Sequence, residues 1–145
     1  MHCFNPVGPG GPILHVLLQE GAARRAALIA AGQQPTPQFS VPLLVDTGAS
    51  HTSIDAATLA RLNLQPTGMM PMLTPSTGAV PVQVPTYDID ILIVGHNEIP
   101  HSFLNHSVSE CNVGNQGICG LIGRDILSHG LLSYSGPGTH FYLSF

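Results

Sequence analysis

Val41-Pro42-Leu43-Leu44-Val45-Asp46-Thr47-Gly48-Ala49-Ser50 is the stretch from which the rest of the chain is read. The run from Val41 to Val45 has the length and composition of a buried strand, and an acidic residue, a threonine and a glycine at its end mark a tight loop. Gly48 permits the backbone geometry such a loop demands. Taken alone, Asp46-Thr47-Gly48 says little, because aspartate and glycine are common turn residues. Its weight comes from a second block far downstream, Gly120-Leu121-Ile122-Gly123-Arg124-Asp125, an apolar pair closed by a glycine.

Composition limits what surrounds these blocks. A chain of 145 residues has room for one domain with a hydrophobic core. Hydrophobic residues make up 43% and charged residues 8%, with no lysine, which argues against disorder and against a nucleic-acid-binding surface. Sixteen glycines and thirteen prolines, spaced along the chain, punctuate short segments as in an all-β domain. A net charge of −4 singles out no charged partner. Met1 to Pro6 carries no cationic region and no long apolar run, so it does not read as a signal peptide. No segment approaches the ~18–20 apolar residues of a membrane span, and a soluble cytoplasmic protein is expected. Cys3, Cys111 and Cys119 are odd in number and lack CxxC spacing, which favours free thiols, with a Cys111–Cys119 bridge left open.

Residues 1–11, rich in glycine and proline, are expected to form a flexible tail ahead of one domain over 12–145. A strand is predicted from Ile13 to Leu18. A helix rich in alanine follows over Ala22 to Ala31, with Gly32 at its end, packing its alanine face on the body of the domain. Asp55 to Leu64 reads as a second helix capped by Asp55. Met72 to Thr74 and Val80 to Val84 flank a hairpin turn near Gly78. Tyr87 to Val94 is the clearest strand, because Ile89, Ile91 and Ile93 recur at period two, as core positions do. Leu121-Ile122 is a short buried strand, Asp125 to His129 a brief helix, and Phe141 to Phe145 a terminal strand.

With both blocks in place, the sequence resembles the retropepsin-like aspartic proteases, over roughly Val41 to Phe145, and is most similar to bacterial members with an additional helix before the strand that ends in Asp46. The resemblance implies an all-β fold, a single-lobe closed β-barrel with a flap hairpin and short helices, assembling as a homodimer. It implies that Asp46 is the catalytic carboxylate and that Thr47 hydrogen-bonds across the dimer axis. Gly48 would present its carbonyl to substrate, beside Ala49. Ser76, Thr77, Gly78, Ala79 and Val80 would form the flap tip over the substrate, and Leu121, Ile122, Gly123 and Arg124 would pack under the loop. The chain departs from the viral pattern at Ser50, where those enzymes carry an aspartate that pairs with the arginine. Arg124 therefore lacks that partner. The flap also has one glycine, Gly78, between Pro75 and Pro81, which implies a stiffer hairpin.

The implied chemistry is endopeptidase hydrolysis. Two carboxylates close together cannot both ionise, so one acts as acid and one as base toward a bound water. One chain supplies a single such aspartate, and a two-fold axis supplies its mate. The implied partners are a second copy and an extended peptide or protein substrate, with no cofactor, no nucleic acid and no membrane. A catalytically silent dimerisation or peptide-binding module is the alternative, and a ubiquitin-linked shuttle domain ranks below it. His101, His106 and Cys111 recur at a spacing that suits neither a helix face nor a zinc knuckle, so no metal is assigned. His51 is read as a solvent-facing loop histidine beside the cleft.

Overall fold

Alternation of large apolar side chains builds the wall of a barrel. Strand β2 (Ile13–Glu20) turns Leu14, Val16 and Leu18 inward, and β3 (Phe39–Val45) does the same with Val41, Leu43 and Val45. Strand β6 (Val82–Ile93) adds Ile89, Ile91 and Ile93, and all nine residues are at most 6% exposed. The computed structural model describes residues 1–73, 78–95 and 99–145.

Three more strands complete the ring: β4 (Ser53–Asp55), β7 (His101–Cys111) and β8 (Gly120–Ile122). The order β2-β3-β8-β4-β7-β6 returns to β2 through an antiparallel β2–β6 pairing, so six strands close on themselves. Closure removes the exposed edges that an open sheet would carry. Strand β5 (Gly68–Met72) lies outside the ring, paired antiparallel with the first residues of β6 from Val82 to Thr86. Among the described residues no helix is long and apolar enough to cross a membrane.

A second sheet differs from the expectation of a flexible tail. Residues His2–Pro6 form β1, paired antiparallel with β10 (His140–Ser144), which pairs in turn with β9 (Leu131–Ser135). Cys3 sits opposite Leu143 and is 1% exposed. Backbone pairing along five residues, a buried Cys3 and the partly buried Met1 and Val7 dock this strand, and its edge position tolerates Pro6; none of these stands out in a Gly/Pro-rich sequence. Gly11 N–H bonds the Gly8 carbonyl at 3.0 Å, so the rest of the segment turns back into β2.

Helix α1 (Ala22–Ala30) lies where the sequence places it, but it buries none of its residues. Its alanine face is not packed on the barrel. Ionic contacts anchor it instead: Arg25 Nη1 lies 2.9 Å from Asp90 Oδ2 and also donates to the Glu20 carbonyl, while Arg24 Nε lies 3.5 Å from Glu20 Oε2. Asp90 and Glu20 are 0% and 1% exposed, so the helix is fastened to carboxylates inside the barrel wall. Helix α2 (Ala56–Ala60) is shorter than expected, although Asp55 caps it, accepting from Ala57 N–H at 3.2 Å. Asn63, at φ 50°, ends the turn that follows.

The hairpin strands also differ in extent: β5 runs from Gly68 to Met72 and β6 begins at Val82, while Thr74 lies outside the described residues. Removing one partner of a buried ion pair leaves the other charge uncompensated. Arg25→Ala should therefore lower stability by about 1–3 kcal/mol. Ile29→Ala, on an exposed position of the same helix, should stay within about 0.5 kcal/mol of the parent. Chemical denaturation of both variants gives the comparison, and equal losses would mean that the helix is held by apolar contact after all.

Candidate active site

The last residues of β3 run parallel to β8, with Leu44 beside Leu121 and Val45 beside Ile122. This pairing carries the chain into the Asp46 loop, where Asp46 N–H donates to the Ile122 carbonyl at 3.0 Å. The two sequence blocks are thus neighbours in space. Asp46 is partly exposed, and its Oδ1 accepts from Gly48 N–H at 2.8 Å, which fixes the orientation of the carboxylate. Ala49 N–H closes the turn on the Asp46 carbonyl at 3.3 Å.

Loop backbone groups outside a helix or sheet need partners from elsewhere. Here they come from the start of α3 (Arg124–Leu127). Arg124 N–H bonds the Ala49 carbonyl at 2.9 Å, and Asp125 N–H bonds that of Ser50 at 3.3 Å. The Arg124 guanidinium reaches back from an exposed position, its Nη1 lying 2.9 Å from the Thr47 carbonyl and 3.3 Å from that of Gly48. Arg124 therefore serves the loop through carbonyl groups, in place of the acidic partner that Ser50 does not provide. The Gly48 carbonyl keeps a second lone pair for another donor.

Gly123 explains why the approach is so close. A Cβ at this position would lie 2.5 Å from the His51 carbonyl carbon and 2.9 Å from Thr52 N. Any side chain would push the loop away from α3.

Below the loop lies a polar knot that sequence reasoning missed. The Asp125 carboxylate accepts from Thr52 N–H (2.9 Å), Thr52 Oγ1 (2.8 Å) and Ile126 N–H (2.9 Å). His106 Nε2, on β7, lies 3.0 Å from Asp125 Oδ2. Thr52 Oγ1 in turn accepts from Gly123 N–H at 3.1 Å. Burial by itself pushes the Asp125 carboxyl up. The hydrogen bond from His106, those from Thr52 and the charge of His106 outweigh burial and hold it at about 2. An ionised carboxylate only accepts, so His106 Nε2 carries the proton of their shared bond. The local signal was Asp125 itself, an acid at the first turn of a helix beside Arg124; His106 stood out in the sequence through its spacing to His101 and Cys111 and not as a partner of Asp125.

Above the loop opens a cleft of about 680 Å³. Asp46 and Gly48 form part of its floor with Leu121, while Met70 and Met72 of β5 and the exposed His51 line its sides. Ile122 and Gly123 lie buried beneath. Gly78, Ala79 and Val80 form an exposed turn between β5 and β6, with Gly78 at φ +63°. Ser76 and Thr77 lie outside the described residues. His101, His106 and Cys111 all fall on β7, and among the described residues no group of three or more His, Cys, Asp or Glu is arranged to hold a metal ion. Cys111 and Cys119 are unbridged, and burial pushes the Cys111 thiol up.

A family profile described as "gag-polyprotein putative aspartyl protease" matches residues 37–129, which include both the Asp46 loop and the start of α3. Among curated proteins no sequence match was found. Among solved structures, the fold is similar to that of a retropepsin-like aspartic protease from Rickettsia conorii, at 13% identity and a TM-score of 0.61. That likeness covers 100% of this chain and 91% of the other.

The depressed Asp125 carboxyl fixes a sign. Its folded value, about 2, lies below the usual ~3.9 of an unfolded aspartate, so the folded state holds its proton less tightly. The resulting stability is complete above about pH 4 and is lost as pH falls toward 2. Asp125→Asn should be destabilised relative to the parent at pH 5, by about 1–3 kcal/mol, with the gap shrinking between pH 4 and pH 2. Urea unfolding of both proteins across that range checks it, and a gap independent of pH would dissociate the carboxylate charge from the knot.

Proposed function

Because the chain belongs to the gag-polyprotein-type family of aspartyl proteases, we propose that it is an aspartic endopeptidase that works as a homodimer. The observation that carries this reading is the position of Asp46, partly exposed on the floor of the cleft with its carboxylate oriented by Gly48. One chain brings one such carboxylate to the cleft. A two-fold axis through the loops brings the second, and the pair shares one proton because two adjacent negative charges repel. The ionised Asp46 takes a proton from a water held between the two, and the protonated Asp46 donates to the scissile carbonyl oxygen. Water adds to the carbon, the amine leaves with a proton, and no covalent enzyme intermediate forms.

Other features support the same assembly. Thr47 is exposed beside Asp46, which suits a side-chain hydrogen bond across the axis. Ala49 continues the turn, and Leu121, Ile122, Gly123 and Arg124 hold it from below. The β5–β6 hairpin acts as the flap, with the exposed turn of Gly78, Ala79 and Val80 toward its tip. Closure of such a hairpin excludes water and completes a site. Its methionines are unbranched and adaptable, and with Leu121 they suit apolar side chains on either side of the cleaved bond. The substrate lies extended between flap and loops, held by its main chain.

Incubating the protein with a diverse peptide pool and mapping the cuts by mass spectrometry tests the activity. Asp46→Asn, nearly isosteric but unable to act as the base, should abolish every cut while leaving fold and association unchanged. Cuts that survive in the pure mutant would remove Asp46 from the chemistry.

Half a site has no proton-sharing pair, so specific activity should fall on dilution along the same curve as the dimer population measured by sedimentation. Thr47→Ala should move both curves to higher concentration, through loss of hydrogen bonds worth about 0.5–1.5 kcal/mol each. A monomer that retains full specific activity would exclude the homodimer.

A further inference from the structure

His106 comes from a different wall of the barrel than the loop it supports. It lies on β7, where the pairing with β6 shifts between Ile89 and Ile91: Ile89 faces His106 and Ile91 faces Phe103. Two residues of β7, Leu104 and Asn105, stand opposite the single Asp90 of β6, so one extra residue bulges at this point. Asn105 takes a left-handed conformation, φ 52°, and its N–H donates to Asp90 Oδ1 at 2.8 Å. Bulges re-aim the side chains beside them. Here the bulge, pinned to a fully buried carboxylate, precedes the histidine whose Nε2 reaches Asp125 Oδ2. The His106 side chain is 20% exposed, and its ring meets the edge of Phe103 at a centroid distance of 6.0 Å.

From Asp125 the connection runs in two directions. Through Thr52 it holds the far end of the Asp46 loop, and through the backbone of α3 it sets where Arg124 meets the carbonyls of Thr47, Gly48 and Ala49. Thr52 is tied to the same carboxylate twice and cannot follow a movement of α3 independently. A shift of Asp125 therefore displaces both ends of the loop that orients Asp46.

We propose that His106 is a positioning residue for Asp46, acting through Asp125 and the first turn of α3 on the loop that carries the carboxylate. The proposal rests on the protease reading given above. Loss of the imidazole leaves Asp125 with the Thr52 and Ile126 donors, so α3 stays folded, but the hydrogen bond that ties Asp125 to β7 is gone. Reaction geometry is sensitive to such displacement, since a misplacement of about 1 Å can cost about 100-fold in rate. A smaller shift, partly restrained by Thr52, costs less. Glutamine places an amide nitrogen near the position of the histidine Nε2 and restores the donor, whereas asparagine is too short.

The test compares the parent with His106→Ala, His106→Gln and His106→Asn on one peptide, at concentrations where each is dimeric and at temperatures well below unfolding. His106→Ala should lower kcat by about 10-fold with KM within about 2-fold, and His106→Gln should return kcat to within about 3-fold of the parent. Should the alanine variant not fold, the asparagine variant is expected to lie well below the glutamine variant. A parental kcat in the alanine variant with only a lower Tm, or a glutamine variant as impaired as the alanine or asparagine one, overturns the proposal.

Amide hydrogen exchange at Gly48, Ala49 and Arg124 reads the coupling without turnover. These amides should exchange at least about 10-fold faster in His106→Ala, or in His106→Asn if that is the folded variant, and recover in His106→Gln. Unchanged exchange overturns the coupling. If the parent cuts no peptide while exchange responds as stated, the protease reading fails and the mechanical link between His106 and the loop stands.

Discussion

The close approach of the Gly123 backbone to the His51–Thr52 peptide is the contact on which the site depends. With no side chain between them, the start of α3 lies against the Asp46 loop, and the loop carbonyls fall within reach of the Arg124 and Asp125 N–H groups. The loop itself is short and irregular. Without a neighbour at this distance, its backbone would turn to water, and the Asp46 carboxylate would lose the fixed turn that orients it. The parallel pairing of β3 and β8 performs the first half of the alignment, delivering Asp46 beside Ile122. Gly123 performs the second half, since it follows β8 directly and turns the chain under the loop.

Barrel closure makes this arrangement rigid. Strand β3 is paired on both sides, with β2 and β8, and β4 joins β8 to β7. The strands that flank the loop therefore have no free edge along which to slide. The hairpin of β5 and β6 differs: among the described residues β5 pairs with β6 alone and lies outside the ring. The cleft thus lies between a floor held on several strands and a hairpin anchored on one.

Much of this was legible in the sequence wherever a local pattern carried it. The apolar run before Asp46, the period-two isoleucines of β6, the Asp55 cap and the Leu121-Ile122 strand are set by neighbours close in the chain. What failed to show depends on distant partners. Strand β7 reads as polar and irregular because its bulge breaks the alternation and because Ser107, Ser109 and Glu110 interrupt the apolar pattern. Strand β1 is held by its pairing with β10, with Cys3 buried opposite Leu143, a contact between the two ends of the chain. The exposed alanine face of α1 could not be foreseen either, since a helix normally buries its apolar stripe, and here two arginines fasten it to Glu20 and Asp90 instead. Asp46, Gly123 and Arg124 stand out in the sequence because they lie in two recognisable blocks. His106 does not stand out as a partner of Asp125, because its role exists only once β7 and α3 are brought together.

The scarcity of charge makes the position of Asp46 more informative than the same aspartate would be on an ordinary surface. Eight acidic residues are present in the whole chain, and the buried ones are turned inward to structural tasks. Asp55 accepts from Val113, Gly114 and Ala57 N–H groups; Asp90 accepts from Asn105 N–H and faces Arg25; Glu20 accepts from Thr36 N–H and faces Arg24. Asp125, half-buried, is tied by Thr52, Ile126 and His106. Each of these carboxylates is held by donors from other parts of the chain, which compensates the cost of removing charge from water. Asp46 is held by one N–H of its own turn and is partly exposed toward the cleft. A carboxylate with open acceptor sites in the lining of an apolar-walled cleft is placed to meet a group from outside the chain.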